Sequence, residues 1–305
     1  MIVSLPQTTT ALISRKLQEL RDSGGVVALG RVLSLIIETD DENLESAVDI
    51  ANKASRLHPS RILVIARSDN HSSGLDAEIR VGGDAGASEV VVLRASGGVL
   101  SNVESLISGL LLPDAPIVAW WPRSSSANPA KTEIGAIADR RITDSAAQIE
   151  PTKFLKALAA NYQPGDGDMA WTRITLWRSQ IAAALESHLE RQIVGGQVIG
   201  SKESPSALLL QGWLESKLNV SVSLEDKWNE DVVLGIRGVR IAFGEGELQI
   251  LRDGDVAELS QPGFPVSKVF LPARTDLDCL IEDMRFLGED TEYAQILKRE
   301  ITNGD

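Results

Sequence analysis

The chain has a single cysteine, Cys279, among 305 residues. One thiol cannot close an internal disulfide, and a cysteine-based zinc site needs more than one. Its three histidines, His58, His71 and His188, stand far apart, and none has the H-x-x-x-H spacing that puts two ring nitrogens on one helix face. Long apolar runs are missing. No stretch approaches ~18 uninterrupted apolar residues, so no membrane-spanning helix is expected. Positive charge is in deficit, with 30 Lys+Arg against 43 Asp+Glu and a formal charge of -13. Such a surface repels polyphosphate backbones and anionic headgroups, which argues against nucleic acid and membrane as partners. The opening Met1-Ile2-Val3-Ser4-Leu5-Pro6 has neither the basic segment nor the apolar run of a secretion signal. Together with the lone thiol, this points to a reducing, cytoplasmic compartment.

Catalytic signatures are missing as well. The sequence contains no G-x-x-x-x-G-K-[ST] phosphate loop and no G-x-S-x-G nucleophile elbow. The pattern G-x-G-x-x-[GA] is matched by Gly165 to Ala170, but after a helix and Pro164 instead of a strand. Asp166 and Asp168 would also face a pyrophosphate there, so the segment reads as an interdomain turn. Gly82-Gly83-Asp84-Ala85-Gly86 is better placed, because it follows a strand. Gly82, Gly83, Asp84 and Gly86 are a candidate loop for close approach of a ligand or chain, with a tight β-turn as the alternative. Glu38, Asp40, Asp41, Glu42, Glu45 and Asp49 form a run without a base, read as a solvated helix face or a surface for a basic partner. No metal, no cofactor and no catalytic residue is assigned.

What is present is a regular alternation of elements. Val32–Ile37 and Arg61–Ala66 are apolar runs of the buried-strand kind. The intervening Asp40–Leu57 carries Leu44, Ala47, Val48, Ala51 and Ala54 at helical spacing, making one parallel β-α-β unit. Leu75–Val81 and Glu89–Leu93 are expected as an antiparallel pair, Val99–Leu112 as a helix, and Ile117–Trp121 as a strand. Ser124–Lys131 reads as a loop. After a helix over Lys153–Asn161, the turn cluster at 163–168 marks a domain boundary. Trp171–Leu189 is expected as one long helix with Ile174, Trp177, Ile181 and Leu185 as its core stripe. Ser204-Pro205 opens a helix through Leu218, Val232–Leu271 reads as an antiparallel meander, and helices over Leu277–Leu287 and Glu292–Ile301 end the chain. The fold class is α/β: a Rossmann-like mixed sheet with flanking helices over 1–164, then an α+β domain with an antiparallel meander over 165–305.

Aromatic residues make up only 4% of the chain, yet it has 6 tryptophans. Trp120 and Trp121 are consecutive, and neighbouring side chains on a strand point to opposite faces. One of them is expected in the core and the other at the strand's end, where open α/β sheets bind ligands and partners. Trp120, Trp121, Pro122, Arg140, Arg141, Asp144, Trp171, Arg173 and Arg178 are therefore partner-binding candidates, since Trp and Arg are enriched at binding hot spots. The alternative is that the tryptophans are core; for Trp177, which lies in the helical stripe, that reading is preferred. A second functional reading is a sensor of a sugar phosphate or nucleotide at the strand ends near Gly82, Trp121 and Arg140.

Gly24-Gly25 with Val27–Val32, Ile79–Gly86, Leu111–Pro122, Arg140–Ser145, Asp168–Arg173 with Trp177-Arg178, Ser204–Ala207 and Leu259–Gly263 resemble, in order, the sequence blocks of the OpcA family, the glucose-6-phosphate dehydrogenase assembly proteins. The resemblance implies a non-catalytic partner that promotes assembly or activation of the glucose-6-phosphate dehydrogenase oligomer, in the oxidative pentose phosphate pathway. Photosynthetic members are linked to thioredoxin-dependent control through cysteines. Cys279 alone offers no intramolecular dithiol for that.

Overall fold

The structure, a computed structural model, describes residues 1–23, 32–67, 73–81, 89–226 and 235–302. In chain order its elements are β1 (Ile2–Leu5), α1 (Thr10–Ser23), β2 (Leu33–Asp40), α2 (Leu44–Ala54), β3 (Ser60–Arg67), β4 (Gly74–Arg80), β5 (Glu89–Ser96) and α3 (Val103–Ser108). There follow β6 (Ile117–Trp120), α4 (Glu133–Ile137), β7 (Arg140–Thr143), α5 (Pro151–Asn161), β8 (Asp166–Asp168), α6 (Met169–Arg173), α7 (Thr175–Glu186) and β9 (Ile193–Gly200). The chain ends with α8 (Pro205–Leu218), β10 (Val222–Asp226), β11 (Ile236–Phe243), β12 (Glu247–Asp253), β13 (Val256–Ser260), β14 (Ser267–Phe270), α9 (Asp276–Asp283) and α10 (Thr291–Thr302).

Two compact units result. The first comprises Met1–Ala147, Gln163–Gly167 and Asp276–Glu289, the second Gln148–Tyr162, Asp168–Thr275 and Asp290–Asp305. Where the sequence suggests one boundary at 164/165, the structure interleaves the units. The physical reason lies in two arginines: 163–167 and 276–289 join the first unit by supplying Asp166 and Asp283 to Arg141 and Arg140.

The first unit is built on a sheet ordered β1-β4-β5-β3-β2-β6-β7-β8. β2 is parallel to β3 and β6, β3 to β5, and β6 to β7. Counted among themselves, these five parallel strands have the 3-2-1-4-5 order of a doubly wound sheet. Strands covered on both faces must be apolar throughout, and Leu35–Ile37 and Ile62–Ala66 are fully buried. β4 pairs antiparallel with β5, as the short link requires. β1, four residues long and too short for periodicity to reveal, adds antiparallel to β4. The predicted stripe of α2 is buried along its length. On one sheet face, Ile13 and Leu17 of α1, Leu106 and Ile107 of α3, and Ile134 of α4 pack with Ile36, Leu63 and Ile65. The helix expected over 99–112 is shorter: Asn102 restarts the chain after a 3₁₀ turn at Gly97–Ser101, its Oδ1 accepting Ser105 N–H at 3.0 Å.

The second unit has a sheet ordered β10-β9-β11-β12-β13-β14. β11 to β14 form the antiparallel meander, β9 joins antiparallel to β11, and β10 lies parallel to β9. Trp171, Trp177, Ile181, Leu209, Leu210, Val239, Ile241 and Ile250 share its core. The helix expected over 171–189 is broken at Ile174 into α6 and α7, where Thr172, Ile174 and Thr175 crowd three β-branched side chains. α8 runs as its sequence dictates. Ser204 Oγ accepts Ala207 N–H at 3.3 Å, Pro205 opens the first turn, and Asn219 closes it with φ 54°. At the open edge, Val256 of β13 faces Phe270 of β14, and both are exposed.

Candidate functional site

A doubly wound sheet has a crevice at the carboxyl ends of its strands, where the strand order reverses. Here the reversal falls at β2, flanked by β3 on one side and β6 on the other. A pocket of about 450 Å³ opens at that point, entirely within the first unit. Leu100, Val103, Trp121 and Ile134 supply the apolar part of its lining. Glu38 and Asp40 line it from the end of β2, Arg67 from the end of β3, and Arg123 and Ser124–Ser126 from the loop after β6. Glu38 organises the wall, taking a hydrogen bond from Trp121 Nε1 at 2.6 Å through one oxygen and pairing with Arg67 through the other.

The turn from β2 to α2 decides what this crevice can hold. A dinucleotide-binding turn presents glycines and free N–H groups to a pyrophosphate. This one reads Asp40-Asp41-Glu42-Asn43 and has no glycine. Asp40 Oδ1 accepts both the main-chain N–H of Asn43 at 2.8 Å and its side-chain Nδ2 at 2.8 Å. A carboxylate of the protein thus caps the main-chain N–H of Asn43 just before α2. The neighbouring helix starts carry side-chain caps as well: Glu133 Oε2 accepts Glu104 N–H at 3.1 Å, and Thr132 Oγ1 accepts Gly135 N–H at 2.9 Å.

The acidic run has partners in space that it lacks in sequence. Arg80 Nη2 meets Glu45 at 2.6 Å, Arg94 meets Asp41 at 3.6 Å, and Lys53 meets Asp49 at 2.6 Å. The Arg80 hydrogen bond holds the Glu45 carboxyl below the usual carboxylate range. Glu45 and Glu78 in turn push the Arg80 guanidinium upwards. In the second unit, burial lowers Arg252 to about 10. Its Nη2 donates to Ile236 O at 2.7 Å, and its guanidinium lies 5.2 Å from the Trp177 ring centroid.

The candidate binding residues are placed differently from expectation. Trp120 and Trp121 are 0% and 2% exposed, so neither emerges at the strand end. β6 lies inside the sheet, and alternation directs the two rings to opposite covered faces. Pro122 is buried beside them. Arg140 and Arg141 form no cationic surface patch. Arg140 Nη2 donates to Asp283 Oδ1 at 2.6 Å in the buried interior. Arg141 pairs with Asp166 and donates to the carbonyls of Ala138, at 2.8 Å, and Pro164. Gly165 and Gly167 lie against these guanidinium groups, and a Cβ at Gly167 would collide with Arg140. Close packing, and no pyrophosphate, accounts for that glycine pair. Asp144 is buried and accepts Ala146 N–H at 3.1 Å.

Trp171, Arg173 and Arg178 belong to the second unit. Trp171 is buried with Nε1 donated to Asp290 at 2.8 Å. Arg178 stacks 3.8 Å from the Trp171 ring centroid and pairs with Glu292 at 3.0 Å. This pair therefore clamps the start of α10. Arg173 is half-buried. Gly82, Gly83, Asp84 and Gly86 lie outside the described residues, as does His71. Arg67, Arg123, Ser125 and Glu133, which line the crevice, carry no sequence signal beyond their place after strands and at a helix start.

Family models match most of the chain. One, described as the glucose-6-phosphate dehydrogenase subunit N-terminal domain, covers residues 51–160, and one described as the C-terminal domain of that subunit covers 164–297. The chain belongs to the OpcA family. A curated relative, named as an OxPP cycle protein OpcA of Synechocystis sp., is 25% identical over 185 residues. The match takes in 55% of this chain and 39% of that relative, so the chain spans about two fifths of its length. Among solved structures, a 3-ketoreductase from Actinomadura kijaniata in complex with NADP matches with a TM-score of 0.48 at 8% identity, over 88% of this chain and 94% of that one. An NAD binding oxidoreductase from Klebsiella pneumoniae gives a TM-score of 0.48 at 10% identity, over 88% and 95%.

Proposed function

We propose that this protein is a non-catalytic partner of glucose-6-phosphate dehydrogenase that promotes assembly or activation of the dehydrogenase oligomer in the oxidative pentose phosphate pathway. Family membership and the relative's name support the pathway. The observation that carries the non-catalytic half is the Asp40–Asn43 contact. It places a carboxylate on the main-chain N–H just before α2, at the end of the strand where the order reverses, and a negative charge there disfavours a phosphate-bearing cofactor. A protein partner is further supported by apolar side chains left exposed in one stretch. These are Val256 and Phe270 on facing strands, with Phe264 and Val266 just before β14. Exposed apolar patches of this kind are a mark of interaction surfaces.

To activate, such a partner must bind the active or oligomeric dehydrogenase more tightly than the inactive form. The test is size-exclusion chromatography of the protein mixed with its cognate dehydrogenase. Co-elution, with the dehydrogenase peak moved to larger size, is the expected result; independent elution across the micromolar range would count against the reading.

A further inference from the structure

We infer that the pocket at the ends of β2 and β6 is a binding site for an uncharged, hydroxyl-rich small molecule on the scale of a single sugar, and that it discriminates against phosphorylated ligands. Ligand pockets run from roughly 300 to 1,000 Å³. At about 450 Å³ this one falls at the small end. Its lining of apolar side chains with a few polar ones is the usual make-up of a small-molecule site.

The polar wall sets the ligand class. Among the described residues of the lining, three carboxylates, Glu38, Asp40 and Glu133, stand against two guanidinium groups, Arg67 and Arg123. Arg67 is already paired with Glu38. A phosphate would enter a region of negative surplus. One N–H at each surrounding helix start, of Asn43, Glu104 and Gly135, is already taken by Asp40, Glu133 and Thr132. Hydroxyl groups suit the same wall, because they donate to carboxylates and accept from guanidinium and serine groups. Two residues of the lining, Thr39 and Ser125, have side-chain oxygens that are buried and without a hydrogen-bond partner among the described residues. Buried polar atoms without partners are uncommon, and rotation of either side chain toward the pocket its residue lines would let a bound polyol satisfy it.

The test uses the 305-residue chain alone, so it stands apart from any effect on the dehydrogenase. Binding of D-glucose, glucose 6-phosphate, inorganic phosphate and NADP⁺ is followed by saturation-transfer NMR and by thermal shift. The matched pair of sugars differs only in the phosphate. Glucose is expected to give saturable binding, with glucose 6-phosphate weaker by about tenfold or more, an affinity difference easily resolved. Ser125→Ala and Arg123→Ala should each weaken glucose by about threefold or more, the scale of one lost hydrogen bond. Arg123 is exposed, so that variant keeps the fold. The inference is overturned if glucose shows no saturable binding. It is equally overturned if glucose 6-phosphate, phosphate or NADP⁺ binds as well or better, or if both folded variants bind like the parent.

Discussion

Arg140 and Asp283 lie 143 residues apart in the sequence and form a buried ion pair at 2.6 Å, with side chains only 5% and 4% exposed. The pair fastens the segment containing α9 to the parallel sheet of the first unit. Removing one member of such a pair strands an uncompensated charge and costs about 3–5 kcal/mol. Arg140→Ala and Asp283→Ala are each expected to lose that much stability in urea unfolding. The double change Arg140→Met with Asp283→Leu should lose less than the sum of the singles, because it leaves no buried charge. Singles that lose no more than a surface substitution, about 0.5 kcal/mol, would show that the pair fastens nothing.

Trp120 and Trp121 separate in the same assay. Trp120→Ala empties a fully buried volume and should cost about 3–5 kcal/mol. Trp121→Phe keeps most of the packing but removes the 2.6 Å hydrogen bond to Glu38, a loss of about 1–3 kcal/mol for a buried group left unsatisfied. Equal, negligible losses would contradict the burial of both rings.

The doubly wound core was legible because its signals are local. The apolar runs at 33–37 and 61–66, the α2 stripe and the Ser204-Pro205 helix start each lie within a few neighbouring residues. The meander was legible from its Gly-containing turns. The roles of the tryptophans and arginines were not. Whether Arg140 faces water depends on Asp283, and whether Trp121 emerges depends on Glu38 and the helices over its face. Those partners are 143 and 83 residues distant in the chain. The Asp40 contact lies within four residues. Its place at the strand where the order reverses follows from the order β3-β2-β6, which no local pattern contains.

Acid should remove a small, assignable part of the stability. The Arg80 hydrogen bond lowers the folded-state pKa of Glu45 below its ordinary 4.5. A carboxyl shifted in that direction contributes stability that is fully present above its unfolded value, and the contribution fades as pH falls through the folded value. With 66% of the Glu45 side chain exposed, solvent screening keeps the contribution below about 1 kcal/mol. Glu45→Gln should therefore lower the unfolding midpoint slightly at neutral pH and not at all below the folded value. A difference that grows as pH falls would contradict the sign.

On the proposed function, the protein acts through the dehydrogenase and not on a substrate of its own. The direct measurement is initial-rate kinetics of the cognate glucose-6-phosphate dehydrogenase, titrated with this protein across the stoichiometric range, beside this protein alone with glucose 6-phosphate and either nicotinamide cofactor. A saturable rise in dehydrogenase rate, or a lowered KM, is expected, with no cofactor reduction by the protein alone. A dehydrogenase rate unchanged through saturation, or sustained turnover by the isolated protein, would contradict it.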